Sequence, residues 1–292
     1  MFLIFLMYAL TTLPLSKLLI LQTQPFILIS LRMLAAGALL LGYHFWRAQS
    51  FSIAKKHIKD FALVTIFAIV MPYFLRYWGL GHSEGNMVDF LCYSGPLITY
   101  VLTGFLKIET FSRIKEVALI IGYVGLLMLA GIPHFSFGLS EFAILISIFS
   151  FAYGWIIMRR LVVDHEYTPV FINGCTMFGA GCIALALSAV TEPMNITGSA
   201  TQFALLLTAI IVISNITVHT VYIGLLKKYS LTLIQLCSFI TPVCIEYRNN
   251  VLGIKGISAQ FLCATFLIML SILIFRFAQK EWNFRYSTAS EK

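Results

Sequence analysis

Of 292 residues, 60% are hydrophobic and only 11% charged, where a soluble domain carries about 25% charged side chains. So few polar residues cannot cover a water-soluble fold of this length, which excludes a soluble globular domain and makes lipid the expected solvent. The formal net charge of +8 sits in clusters between apolar runs; that pattern marks loops beside anionic headgroups rather than a nucleic-acid footprint.

In chain order the apolar runs predict membrane helices at 3–21, 26–47, 59–79, 86–106, 111–131, 140–160, 169–190, 202–226, 232–252 and 256–278. Each approaches the length of about 20 residues that a bilayer requires. The runs are continuous rather than alternating, which excludes a barrel wall. The first lacks a basic leader and a small-x-small cleavage site, so it reads as a helix and not a secretory signal. Fifteen of the twenty Lys and Arg fall in connections on one side, at 47–59, 107–115, 159–160, 227–228 and from Arg276 onward. The opposite loops hold only Lys255. The positive-inside rule then places both termini in the cytoplasm and demands an even number of spans, hence ten. All six cysteines fall inside predicted spans without a C-x-x-C pair, as expected of small buried apolar residues. Asn195-Ile196-Thr197 matches a glycosylation sequon, a pattern frequent by chance.

Shifting the chain against itself by about 145 residues aligns Tyr77-Trp78-Gly79-Leu80 with Tyr222-Ile223-Gly224-Leu225. The same shift aligns Leu91-Cys92 and Pro96 with Leu236-Cys237 and Pro242, and Pro25 with Pro169. The expected organisation is a first five-helix repeat over 1–138, a second over 139–280 and a cytoplasmic tail over 281–292. Two halves of five helices each insert in opposite orientations. That is a carrier architecture, with the substrate site near the midplane between the halves.

The residues of the second span, Pro25 followed by Arg32, and of the fourth, Gly95-Pro96-Leu97 with Glu109 thirteen residues after the proline, then Gly122 and Gly125, carry a resemblance. They are similar to the EamA type of the drug/metabolite transporter superfamily. The second half repeats the pattern with Thr241-Pro242-Val243 but departs from it at Lys255, where the first half has Glu109. The resemblance implies an all-α membrane protein of ten helices, an inverted 5+5 bundle working by alternating access. Its members carry amino acids, nucleotide sugars, drugs and other metabolites, so it does not select the substrate. S-adenosylmethionine carriers of intracellular bacteria are one comparison within it.

Charged residues inside spans are expected to mark function, because each costs at least about 2.5–3.5 kcal/mol at mid-bilayer. They are Lys17, Arg32, Arg76, Asp89, Glu246 and Arg248, all in the outer half of their helices under this topology. Lys17 and Arg76 can snorkel to the interface, and Arg76 can pair with Asp89. Arg32 and Glu246 are deeper and point to a polar cavity. Helical spacing gathers Gln235, Pro242, Glu246 and Asn249 on one face of the ninth span, and Asp89, Tyr93, Pro96, Tyr100 and Thr103 on the fourth. The eighth span adds Asn215, His219 and Tyr222; the sixth adds Tyr153 and Trp155, and the seventh Asn173.

The expected function is secondary transport of a small organic metabolite across the inner membrane. Arg32, Tyr93, Tyr100, Glu246 and Asn249 would contact the substrate, with Trp155, Asn215 and His219 as further candidates. Lys17, Arg76, Asp89 and Arg248 would line a vestibule or couple an ion. The excess of positive charge suits a substrate with a carboxylate or phosphate. Exchange of S-adenosylmethionine for a related metabolite, or export of amino acids or drugs, both fit. No cofactor or metal is expected. Partners are the substrate and the bilayer, with a homodimer left open. An intramembrane enzyme finds no support in H-E-x-x-H or G-x-S-x-G motifs, and a non-transporting subunit remains the third class.

Overall fold

The computed structural model describes residues 2–47, 52–80, 82, 91–130, 138–193, 197–251 and 258–289. Among them every regular element is helical. Helix α1 runs Phe2–Met7, widens into a π-turn at Tyr8–Thr12 and resumes over Leu13–Ile20. Helix α2 is Pro25–Trp46. Helix α3 opens with a 3-10 turn at Lys55–His57, continues over Ile58–Val64, passes a π-turn at Thr65–Val70 and ends as Met71–Leu80. Helix α4 is Gly95–Phe105, α5 is Arg113–Ala130, α6 is Leu139–Val163 and α7 is Pro169–Thr191. Helix α8 joins Ala200–Ile210, a π-turn at Ile211–Val218 and His219–Leu225. Helix α9 joins Leu231–Leu236, a 3-10 turn at Cys237–Phe239 and Ile240–Val251. Helix α10 is Ala259–Ala289, extending well into the segment expected as a tail. Six of these stretches are long and apolar enough to cross a membrane: Pro25–Trp46, Lys55–Arg76, Leu139–Val163, Pro169–Thr191, Ala200–Leu225 and Ala259–Gln279. Phe5–Ile20 and Gly95–Phe105 are shorter apolar helices.

Proline and hydroxyl chemistry set the helix starts. Gln24 is extended and Pro25 opens α2, where its missing N–H costs nothing. The orphan amides behind it are met from the end of α7: both Glu192 carboxylate oxygens accept from Phe26 N–H, at 3.0 and 3.1 Å, and one from Ile27 N–H at 3.0 Å. Thr168 caps α7 by accepting from Phe171 N–H at 3.3 Å. Ser230 caps α9 by accepting from Leu233 N–H at 3.3 Å. Pro96 and Pro242 each follow a break in regular helix, a turn at 93–94 and the 3-10 turn Cys237–Phe239. The ring of a proline clashes with the carbonyl four residues back, so the helix yields on its N-terminal side.

Packing pairs α2 with α7, α5 with α10, α4 with α9, α3 with α6 and α1 with α8. Two large apolar cores result, beside two small clusters around Ile144 and around Leu28. The larger gathers residues from α1, α2, α3, α6, α7, α8 and α9, with Met33, Trp155, Met158 and Met177 at its heart. The smaller joins α4, α5, α9 and α10 around Tyr100, Phe239 and Phe275. Large apolar side chains such as Leu39, Phe149, Leu205, Phe266 and Phe277 face outward, an arrangement that lipid solvates and water does not.

The two closest helix approaches need glycine. A Cβ on Gly37 would lie 2.5 Å from the backbone nitrogen of Phe178, across the α2–α7 seam. A Cβ on Gly154 of α6 would lie 2.3 Å from the backbone nitrogen of Ala68, inside the α3 π-turn. The connections with the clustered Lys and Arg meet at one end of the bundle: Ala54 N–H donates to Tyr167 Oη at 3.1 Å, and the His57 ring stacks on His165 at 3.8 Å between centroids. The connections at 22–26 and 192–197 meet at the other, where Thr197 N–H donates to the Gln22 carbonyl at 2.8 Å.

Candidate functional site

A π-turn spends one extra residue per turn and leaves backbone carbonyls without their usual partner, often at functional positions. In α8 that debt is met from α7. Asn173, fully buried, donates through Nδ2 to the Asn215 carbonyl at 2.9 Å and to Thr220 Oγ1 at 2.8 Å. Fixing the Asn215 backbone turns its side chain toward α2. There the Arg32 guanidinium, 3% exposed, donates through Nε and Nη2 to Asn215 Oδ1 at 3.3 and 3.2 Å. The Asn215 amide nitrogen faces the sulfurs of Met33 and Met177 at 3.5 and 3.9 Å. Arg32 is thus a buried cation whose acceptor is an amide oxygen, a dipole that orients the charge without neutralising it.

Aromatic side chains continue this cluster toward α6. His219 and Tyr222 follow Asn215 along one face of α8. Trp155 lies 5.2 Å from the His219 ring and 4.4 Å from the Tyr222 ring, centroid to centroid, and Phe5 of α1 meets Tyr222 at 6.0 Å. Trp155 Nε1 and His219 Nε2 are both buried without a hydrogen-bond partner, a cost that persists where a ligand or water supplies the missing bond. The chemistry assembled here is a bidentate donor, two unsatisfied ring nitrogens and a set of aromatic faces, drawn from α1, α2, α6, α7 and α8.

The other expected site residues are placed elsewhere. Tyr100 lies in the smaller core, where its hydroxyl accepts from Ser112 N–H at 2.8 Å and stands 3.4 Å from Glu116 Oε1. Tyr93 sits against Phe239, and its carbonyl accepts from the Tyr123 hydroxyl at 2.7 Å. Both side chains pack against α5 and α9 in this structure. Gln235 joins α9 to α4, accepting through Oε1 from Thr99 Oγ1 at 2.7 Å. Glu246, Arg248 and Asn249 occupy the last turns of α9, where Arg248 Nη2 reaches Asn249 Oδ1 at 3.5 Å. Arg76 is half-buried near the end of α3. Asp89 and the Lys17 side chain lie outside the described residues, as does Lys255.

Two polar residues legible in the sequence gain their role only from the fold. Asn173 is a lone amide in an apolar run, and only the α8 π-turn gives it a purpose. Glu109, expected from its motif position alone, accepts through Oε1 from Thr232 N–H at 3.3 Å and so joins Ser230 in capping α9 from across the bundle. It is 9% exposed. Burial pushes its carboxyl above the usual range, against the opposing pull of Lys115 and of the Thr232 amide.

Residues 1–131 match the EamA-like transporter family. The chain is 23% identical over 232 residues to the S-adenosylmethionine/S-adenosylhomocysteine transporter of Chlamydia muridarum, covering 75% of itself and 73% of that protein. Against the transporter of the same name in Chlamydia trachomatis it is 23% identical over 241 residues, 78% and 73% of the two chains. A WAT1-related chloroplastic protein of Arabidopsis thaliana is 27% identical over 239 residues, 76% of this chain and 55% of that one. A crystal structure with 17% identity superposes at a TM-score of 0.78 over 96% of both chains, a likeness of fold. The chain is a multi-pass integral protein of the inner membrane.

Proposed function

We propose that this EamA-like transporter is a secondary carrier that binds one small organic metabolite between two inverted five-helix halves and releases it by alternating access. Its ten helices would put both termini in the cytoplasm. Three features support the duplication. The helix partnerships 2·7, 5·10 and 4·9 are unchanged by exchanging the halves, and 3·6 exchanges with 1·8. The π-turns of α3 and α8 begin at 65 and 211, a separation of 146 residues. The turn just before α4, at 93–94, and the 3-10 turn within α9, at 237–239, keep nearly the same offset.

The observation that carries the reading is Arg32, a buried guanidinium held by Asn215 where helices of both halves meet. A charge kept there at a cost of at least about 2.5–3.5 kcal/mol suits a substrate carboxylate. The neighbouring faces of Trp155 and Tyr222 suit a flat base or a sulfonium cation. S-adenosylmethionine carries a carboxylate, a purine and a sulfonium, and the names of the Chlamydia relatives point the same way. Its exchange for S-adenosylhomocysteine is therefore the specific assignment. Glu246 and Asn249 would complete the path on the side of α9.

Counterflow in proteoliposomes tests this. Vesicles loaded with S-adenosylhomocysteine should take up labelled S-adenosylmethionine, and Arg32→Ala should reduce uptake to background while the protein remains inserted and folded. Uptake of amino acids or drugs in place of S-adenosylmethionine would replace the substrate and keep the carrier. Normal flux in Arg32→Ala would remove the proposed site.

A further inference from the structure

At the basic end a cavity of about 160 Å³ opens among the α4–α5 connection, the end of α6, the α8–α9 connection and α10. Two charged side chains of opposite sign border it, each more than nine-tenths buried: Glu109 at 9% and Lys115 at 3% exposure. Burying charges is tolerated when they pair, yet these two form no ion pair. Glu109 spends one oxygen on the Thr232 amide and leaves Oε2 buried without a partner. Lys115 donates one long bond of 3.4 Å, to the Thr110 carbonyl. Arg159, on the same wall, has its Nε buried and unpartnered. Lys227 and Lys228 stand exposed at the rim.

The unmet demands are complementary and close together. Glu109 Oε2 requires a donor, while Arg159 and Lys115 require an acceptor. A plain anion would satisfy the cations and be repelled by the carboxylate; a plain cation would meet the reverse. An ammonium and a carboxylate on one carbon answer both within a cavity of this size. We propose that this pocket is a second binding site, at the basic end of the bundle, for the zwitterionic head of an α-amino acid. It stands on different residues from the Arg32 cluster and does not depend on the transport reading.

Glycine is the simplest probe. A ligand that prefers the folded state raises its thermal midpoint, so the full-length protein in detergent is titrated near neutral pH with glycine, acetate, methylammonium and phosphate in separate arms. Only glycine should stabilise it, equally in wild type and in Arg32→Ala. Glu109→Gln, whose amide oxygen can still cap α9, should weaken the apparent affinity by about tenfold or more, and Arg159→Gln likewise. Equal stabilisation by acetate or phosphate, an undiminished response in both variants, or no response to glycine would each overturn the proposal. Loss of the response in Arg32→Ala alone would do so too, by assigning glycine to the central cluster. Failed counterflow beside a retained glycine response would sink the transport reading and leave this site standing.

Discussion

The π-turns of α3 and α8 are the same backbone device with opposite surroundings. In α3 the turn is closed by a hydroxyl and a glycine: Ser150 Oγ donates to the Phe67 carbonyl at 2.9 Å, and Gly154 lies against Ala68. In α8 it is closed by the Asn173 amide, and its own Asn215 turns outward to hold Arg32. Both turns satisfy their freed carbonyls from a neighbouring helix, as backbone in lipid must. Only in α8 does a side chain of the turn hold a charged residue of another helix; Thr65 of the α3 turn donates back to the Phe61 carbonyl of its own helix. A widened turn therefore makes room for a site, and the side chains brought to it decide whether that room becomes packing or binding.

Substitutions can break that contrast, and the largest effect is expected at the tighter turn. Gly154→Val places a branched side chain where even a Cβ meets backbone, which cannot swing aside. Overpacking costs about 1–3 kcal/mol or more, so the protein should lose monodisperse yield and melt well below wild type in detergent. Asn173→Leu comes next. It strips the Asn215 carbonyl and leaves Arg32 on an unsupported partner, for about 1–3 kcal/mol of destabilisation and a loss of substrate response in the same melts. Ser150→Ala should cost only about 1 kcal/mol and leave that response intact. If the serine variant loses the response and the asparagine variant keeps it, the roles of the two turns are reversed.

The smallest effect belongs to the basic end and serves as the control outside both turns. Burial raises the Glu109 carboxyl above its ordinary value of 4.5, so the folded state holds that proton more tightly than the unfolded one. The stability this supplies is complete below pH 4.5 and is lost as pH climbs through the raised value. Glu109→Gln keeps a neutral cap throughout, so melts across that window should fall with pH in wild type and stay flatter in the variant.

Much of the fold was legible in the chain itself because a bilayer imposes simple demands. The start of α2 at Pro25 and of α7 at Pro169 followed from proline at a first turn, and the apolar run lengths followed from the hydrocarbon thickness. Arg32 announced itself because lipid makes every charge conspicuous. At Tyr93 and Tyr100 the stripe rule stops short: equal spacing along a helix says that residues share a face, not which neighbour that face meets. Ser150 and Glu192 were silent, and Asn173 was legible only as a polar residue, for a related reason: each serves the backbone of a helix distant in sequence.

By itself, then, the sequence determined the solvent, the helical class, the expected sidedness and the cost of a charge such as Arg32, all consequences of composition and spacing. Only the tertiary structure decided which amide holds that charge, which carbonyl Asn173 satisfies, and that Glu109 and Lys115 share a cavity without touching. Those outcomes depend on helix partners and on the extra residue of a π-turn, which rotates every later side chain by most of a third of a turn. No periodicity counted along a single helix contains that rotation.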